Sequence, residues 1–441
     1  MRVGFISLGC AKNQVDCEQM MFRMREAGHE ILADPDGADL VIVNTCGFID
    51  AAKREAIDHI LAMGRLKEAG RIGKILVTGC LAQRYQEEIL KEMPEVDGVL
   101  GTGSYYDIVS AAKQVMLGRT VSEFGNIHTP LDGGGRILTT PAHYAWLKIA
   151  EGCSNCCAYC VIPKLRGKYR SRPMEDVLRE AKELTQSGVK ELIVVAQDTT
   201  IYGTDLCGKT LLPELLRRLC AIEGVHWVRV HYLYPESITG ELLEVFVQEP
   251  KLLHYFDIPI QHVNDGILKA MNRRGTRADL ERLIETIRQK LPDAVIRTSL
   301  ITGLPGEGEA EFEELCDFLK QYRLERVGVF VFSPEEGTKA AEMDYPDEAV
   351  AAARATVITE LQSRIMDDYH ASLLGRTLEV LCEDYDPAQD LYAGRSFADS
   401  PDIDGVVWFS SREPVAIGSF VPVRLEETID GDLYGAMEEP L

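Results

Sequence analysis

Apolar and polar positions alternate along this chain in blocks, and the texture of the blocks changes twice. Up to about residue 125, short apolar runs at Val3–Leu8, Leu40–Asn44 and Lys74–Thr78 are each followed by a longer stretch of helical spacing. Unbroken apolar runs of this length predict strands buried on both faces, and their alternation with helices predicts a parallel α/β sheet. From about 142 to 370 the strand-then-helix unit recurs six times. The predicted strands are Ala145–Ala150, Glu191–Ala196, Trp227–Leu233, Tyr255–Ile260, Val295–Ile301 and Arg326–Phe332. Met174–Gln186, Leu212–Cys220, Ala278–Lys290 and Ala310–Gln321 carry the amphipathic pattern of intervening helices. A closed TIM barrel needs eight units, so an open, partial (βα)6 barrel is expected.

The stretch 128–141 contains Gly133-Gly134-Gly135, Pro130 and Pro141 and predicts a linker. A helix around Ala349–Tyr369 leads out of the barrel section. From 373 onward the runs become short and alternating, at Thr377–Leu381, Val406–Phe409 and Phe420–Leu425, with Asp, Pro and Gly between them. That texture predicts a small β-barrel of the OB type. The expected fold class is therefore α/β: an N-terminal sheet domain at 1–127, a partial barrel at 142–370 and a small β-barrel at 373–441.

Composition adds constraints. With 46% hydrophobic and 27% charged residues, the chain of 441 residues is globular and has ample core. A net charge of −23 argues against gripping nucleic acid by phosphate neutralisation. The last section carries Arg376, Arg395, Arg412 and Arg424 against fifteen acidic residues, a formal charge of −11. Such a module would repel phosphate and attract a basic protein. No apolar run approaches the roughly eighteen residues of a membrane span, so no membrane association is expected. Leu8-Gly9-Cys10 looks like a lipoprotein cleavage box, but the apolar stretch before it is too short for a signal sequence. A cytoplasmic location is expected.

Twelve cysteines are many for such a protein, and two groups of them stand out. Cys153, Cys157 and Cys160 follow directly on the first predicted barrel strand. Gaps of three and then two residues let one tight loop bring three thiolates to an iron–sulfur cluster. The fourth iron is left open, as catalysis needs. A structural zinc loop would want a fourth ligand and a second paired motif, and a ferredoxin would supply four cysteines. The open iron could chelate S-adenosylmethionine, whose reductive cleavage yields a deoxyadenosyl radical. Cys156 lies off the spacing and reads as a bystander. In the second group, Cys10, Cys46 and Cys80 each lie just past a strand of the N-terminal sheet. Parallel pairing would place them at one edge, where open α/β sheets bind ligands. A second three-cysteine cluster is expected there. Cys17, Cys207, Cys220, Cys316 and Cys382 read as small apolar residues.

Other polar residues at strand ends are candidates for contacting S-adenosylmethionine. Tyr159 could pack on the adenine, while Gln197, Gly303 and Glu307 sit at or just past strand tips. Gly303-Leu304-Pro305-Gly306-Glu307 lacks the ending of a phosphate loop. His262 reads as structural.

The aromatic before the last cysteine of Cys-x3-Cys-x2-Cys resembles the radical S-adenosylmethionine superfamily. Ser7-Leu8-Gly9-Cys10-Ala11-Lys12-Asn13, with Cys46 and Cys80, resembles the methylthiotransferase family, whose members end in a TRAM barrel. Three stretches resemble its RimO-type branch rather than the tRNA-modifying MiaB branch: Ile162 to Pro173, Ala196 to Gly203, and Gly394 to Asp399 through Asp404-Gly405. Gly308 departs from the threonine usual there. The resemblance implies two 4Fe–4S clusters, the auxiliary one on Cys10, Cys46 and Cys80 and the radical one on Cys153, Cys157 and Cys160. It also implies S-adenosylmethionine, an external electron donor, and as substrate an aspartate of the twelfth small-subunit ribosomal protein.

Overall fold

The computed structural model describes residues 1–131 and 133–438. Asp132, inside the expected linker, and Glu439, Pro440 and Leu441, at the end of the last expected section, lie outside the described residues.

The first sheet has six parallel strands, with Arg2–Ser7, Leu40–Thr45 and Lys74–Gly79 adjacent at its centre. Leu40–Thr45 is buried at every position. Its alternate residues serve two cores: Leu40 and Ile42 pack with Cys17, Met20 and Met24 of the helix Ala11–Glu26. Val41 and Val43 pack with Ala56 and Ile60 of the helix Asp50–Glu68. The strands Glu30–Leu32, Gly98–Leu100 and Val121–Glu123 extend the sheet's edges and were absent from the sequence reading. Three residues are too few to show a period.

The second sheet runs Tyr144–Lys148, Glu191–Val195, Trp227–Val230, Leu252–Asp257, Val295–Thr302 and Arg326–Val331, all parallel and adjacent in chain order. It does not close on itself, as the unit count led us to expect. Helices cover its outer face, where Leu192, Val194, Val228 and Val230 join one large core. The first strand stops at Lys148 instead of reaching Ala150. Ala150–Glu151 turn away and pair antiparallel with Arg170–Ser171, which aims the following loop across the strand ends. Gly152 takes φ +80° there, and a Cβ on it would lie 2.4 Å from the Lys168 carbonyl oxygen. Only glycine fits this turn.

The C-terminal section is a closed five-stranded barrel built from Thr377–Asp386, Leu391–Arg395, Val407–Ser410, Asp432–Met437 and Phe420–Ile429. The second and last strands in sequence were missed. The segment Ser396–Asp404 between its second and third strands seats against the inner face of the open sheet. Glu191 accepts from Arg229 Nε at 2.8 Å and from Arg395 at 2.7 Å, all three side chains being buried. Arg326 donates to Asp399 at 2.6 Å, and the Tyr255 hydroxyl donates to Asp404 at 2.6 Å. His231 lies between Asp257, at 3.2 Å, and Ser400 Oγ, at 2.9 Å. Serine, histidine and carboxylate stand in the order of a hydrolytic triad, but Ser400 is fully buried. Its arrangement therefore serves docking. Burying this many charges is tolerable only because each finds a partner.

The expected linker packs against the first helix. Ile137 N donates to the Glu18 carbonyl at 3.1 Å, and Arg136 lies between Glu18 and Glu180. Gly135 is needed for closeness, since a Cβ there would sit 2.5 Å from the Phe22 ring.

Candidate functional site: two cysteine trios joined by a buried charge network

Cys10, Cys46 and Cys80 stand at the carboxyl ends of three adjacent strands, and the turns that carry them touch in sheet order. A Cβ on Gly9 would lie 2.7 Å from Cys46 Cβ and 3.2 Å from its sulfur. A Cβ on Gly47 would lie 2.7 Å from the backbone of Leu81, next to Cys80. Gly9 and Gly79 take φ of +92° and +98°, which allows each strand to turn sharply into its cysteine. Asn13 fixes two of the tips, donating from Nδ2 to the Leu8 carbonyl at 2.5 Å and the Thr45 carbonyl at 3.3 Å. Asn44 donates in turn to the Asn13 carbonyl at 2.7 Å. Burial pushes the Cys80 thiol up to about 12, with Cys46 and Cys10 adding to the rise and Arg166 opposing it. Three thiols gathered at one sheet edge could hold an iron–sulfur cluster, whose irons would displace their protons.

The second trio lies in the loop after Gly152. Cys153 N donates to the Gly167 carbonyl at 3.1 Å, Cys160 N to the Cys157 carbonyl at 3.0 Å, and Ala158 N to the Met271 carbonyl at 2.9 Å. Asn272 Nδ2 holds the carbonyls of Asn155 and Cys156 at 3.1 and 2.9 Å, and Asn155 donates to Asp198 at 2.8 Å. The Tyr234 hydroxyl lies 2.8 Å from Cys157 Sγ. Burial pushes the Cys153 thiol up to about 11, and burial likewise raises Cys160, to which Cys157 and Cys153 add. Cys156 is exposed, with φ +53°. Among the described residues no three His, Cys, Asp or Glu side chains converge as ligands of one metal ion. A cluster asks for something else, one thiolate on each of three irons.

One short helix, Ile162–Arg166, touches both trios. At its start Ile162 N donates to Cys160 Sγ at 3.4 Å; at its end Arg166 Nε donates to Cys80 Sγ at 3.4 Å. The same guanidinium reaches Asp16 at 2.7 Å, Glu151 at 2.9 Å and Asn13 Oδ1 at 3.0 Å. Lys148 completes the group, pairing with Asp16 and with Glu151 at 2.9 Å. Burial works to raise the Glu151 carboxyl, and Arg166 and Lys148 outweigh it, holding it well below the usual range. Sequence reading missed this network. Its only local sign was a lysine inside an otherwise apolar strand.

The residues expected to contact S-adenosylmethionine divide. Gln197 joins the network, donating to Glu151 at 2.6 Å, while its buried Oε1 has no protein partner and is open to a ligand donor. Tyr159 is half-buried against Ile267, Met271, Leu304 and Phe332, beside the cluster loop. Gly303 has φ +80°, and a Cβ there would meet Ala351 Cβ at 2.4 Å, so the glycine answers to packing against the helix Glu348–Leu373. Glu307 is buried and turned inward. Its carboxylate accepts from Gly303 N at 2.9 Å and Arg354 at 2.8 Å, with His262 at 3.4 Å.

Comparison with known proteins agrees with this geometry. Residues 2–101 match the Uncharacterized protein family UPF0004, residues 147–319 the Radical SAM superfamily and residues 374–437 the TRAM domain. The chain is 47% identical over 435 residues to the ribosomal protein uS12 methylthiotransferase RimO of Thermoanaerobacter sp. (strain X514), covering 98% of this chain and 99% of that one. It is 47% identical over 440 residues to the protein of the same name from Lachnoclostridium phytofermentans, covering 99% and 100%. Among solved structures, the radical S-adenosylmethionine methyltransferase TsrM of Kitasatospora setae, with cobalamin and a [4Fe-4S] cluster bound, shares the fold at a TM-score of 0.56. It is 14% identical and covers 77% of this chain and 76% of that chain. With three matched domains in one order, a cysteine trio in each of the first two, and relatives this similar end to end, the chain belongs to the RimO family of radical S-adenosylmethionine methylthiotransferases.

Proposed function

We propose that this enzyme attaches a methylthio group to the β-carbon of an aspartate in ribosomal protein uS12. The observation that carries the reading is the pair of three-cysteine sites joined through Ile162–Arg166. One site alone would serve radical generation, and only two account for sulfur insertion. When bound, the radical cluster would supply reductive cleavage of S-adenosylmethionine, and the auxiliary cluster would carry the sulfur that is methylated and transferred. Cys153, Cys157 and Cys160 would hold the first, and Cys10, Cys46 and Cys80 the second.

The chain's own groups position and insulate these centres. Asn272 and the Met271 carbonyl fix the radical loop, and Tyr234 orients Cys157. Gln197 presents an unpaired acceptor, and Tyr159 an aromatic surface, to S-adenosylmethionine. The charges of Asp16, Lys148, Glu151 and Arg166 sum to zero, so this group places no uncompensated charge between the two sites. Glu335 ties the N-terminal sheet domain over the barrel's last strand, accepting from Lys53 at 3.0 Å and Arg84 at 2.7 Å. Closure of this kind keeps water and oxygen from a radical.

The acidic C-terminal barrel supports a basic protein as substrate. Complementary charge would speed encounter with a ribosomal protein, whereas the same charge repels tRNA. The reaction belongs in the cytoplasm, where the substrate is made, and draws electrons from an external donor. Anaerobic incubation of reconstituted enzyme, reductant and S-adenosylmethionine with uS12 or with tRNA tests the reading by mass spectrometry. A methylthio group on an aspartate of uS12 is expected. Its appearance on tRNA and not on uS12 would overturn the substrate assignment.

A further inference from the structure

Lys12 is two residues past Cys10 and only 7% exposed, yet among the described residues no carboxylate pairs with it. Its ammonium instead lies 3.5 Å from the centroid of the Tyr232 ring. This is unusual in a chain with 70 acidic and 47 basic residues. The other buried cations of the wall, Lys148 and Arg166, share Asp16 and Glu151. Arg273, on the radical side, is stacked 4.1 Å over Tyr234 and donates to the Pro259 carbonyl at 2.7 Å. A tyrosine face attracts a cation without neutralising its charge. Burial works against the charged form. The ring and the nearby Cys10 both favour the charged form, and the ammonium's three donors can still take a carboxylate.

Tyr232 is itself held in an unfavourable conformation. Its φ is +59°, rare for a bulky residue. The backbone is pinned from both sides: its N–H donates to Asp257 at 3.0 Å, and its carbonyl accepts from Thr199 N at 3.1 Å. Strain that the surroundings hold in place this firmly is characteristic of binding sites. Two residues on, Tyr234 touches Cys157 of the radical trio. The Lys12–Tyr232 contact thus spans from the strand tip bearing Cys10 to the strand tip that contacts the radical loop.

We propose that Lys12, on its Tyr232 platform, binds the side-chain carboxylate of the substrate aspartate. This rests on the protein-substrate reading above and adds the residue that selects the amino acid. In aspartate the carboxylate is bonded to the β-carbon. Fixing the one therefore fixes the other between the two cysteine sites. Asparagine, of the same shape, would leave the ammonium unpaired and be rejected.

The test uses reconstituted holoenzyme and two forms of uS12, the natural protein and one whose modified aspartate, located by mass spectrometry, is changed to asparagine. Dissociation constants are measured anaerobically for wild type, Lys12→Met and Lys12→Arg, with iron content and cluster absorption reporting folding. Wild type should prefer the aspartate form about 10- to 100-fold, as a charged hydrogen bond implies. Lys12→Met should bind both forms equally, at the level of the asparagine form, and Lys12→Arg should keep part of the preference. Three results would overturn the proposal: no preference in wild type, which needs no variant to observe; equal weakening of both forms in Lys12→Met; or weaker S-adenosylmethionine binding in that variant with the preference intact. Methylthiolation of tRNA in place of uS12 by wild type would instead sink the substrate reading.

Discussion

Arg166 donates from Nε to the sulfur of Cys80 at 3.4 Å, while its NH1 lies within hydrogen-bonding distance of both Asp16 and Glu151. A residue of the barrel domain thereby touches a cysteine proposed to hold the N-terminal domain's cluster. Replacing it by methionine should leave Asp16 and Glu151 short of a partner and cost about 3–5 kcal/mol of stability, as broken buried pairs do. Losing a positive charge and an N–H···S bond should also make the auxiliary cluster harder to reduce. Denaturant unfolding checks the first effect. An EPR-monitored redox titration checks the second, expecting a more negative potential for that cluster alone.

Gly152→Ala should disable the radical site and leave the auxiliary one intact. The new Cβ would meet the Lys168 carbonyl at 2.4 Å in a backbone conformation that disfavours it. Iron should fall by one cluster's worth, and reductive cleavage of S-adenosylmethionine to deoxyadenosine should be lost.

Cys156→Ser should change neither. Cys156 is exposed and off the Cys-x3-Cys-x2-Cys spacing, so iron content and cleavage should match wild type, whereas Cys157→Ala should lose one cluster's worth of iron and the cleavage.

Acid should loosen the C-terminal barrel in two windows. Burial, with Arg326 adding to it, lowers the His370 imidazole to about 4. Between pH 6.5 and 4 the unfolded chain binds a proton that the native chain refuses, and stability falls as pH drops, by about 3 kcal/mol in full. Burial works to raise Glu191, but Arg395 and Arg229 outweigh it and hold the carboxyl down to about 2. Its contribution is complete above pH 4.5 and is lost as pH falls from there to 2. Denaturant midpoints against pH should show both declines. His370→Gln should flatten the upper one only.

Much of the architecture was legible because the informative segments are locally complete. Leu40–Thr45 is buried on both faces and so reads as an unbroken apolar run, and the helix Met174–Gln186 has the bounds its spacing predicts. Both cysteine trios stood out for a different reason, one lying in a single loop and the other at the ends of successive strands. The network behind them did not. Lys148 finds Asp16 across 132 residues and Arg166 finds it across 150, and no local pattern encodes such meetings. At Gly303 and Glu307 the sequence showed the position but not the packing. A glycine and a carboxylate at a strand tip look like ligand groups, and the structure adds close packing on Ala351 and a buried bond to Arg354. The stretch from Gly394 to Gly405 pointed to the family without revealing its purpose, which is to seat the C-terminal barrel on Glu191, Arg229 and Arg326.

The existence of two separate cluster sites is tested most directly by iron and sulfide analysis with Mössbauer spectroscopy on three reconstituted proteins: wild type, a Cys10/Cys46/Cys80→Ala triple variant and a Cys153/Cys157/Cys160→Ala triple variant. Wild type should hold two clusters' worth of iron and each triple variant one, with deoxyadenosine formed only where Cys153, Cys157 and Cys160 remain. A full iron complement in either triple variant, or a single cluster in wild type, would contradict the assignment of one cluster to each trio.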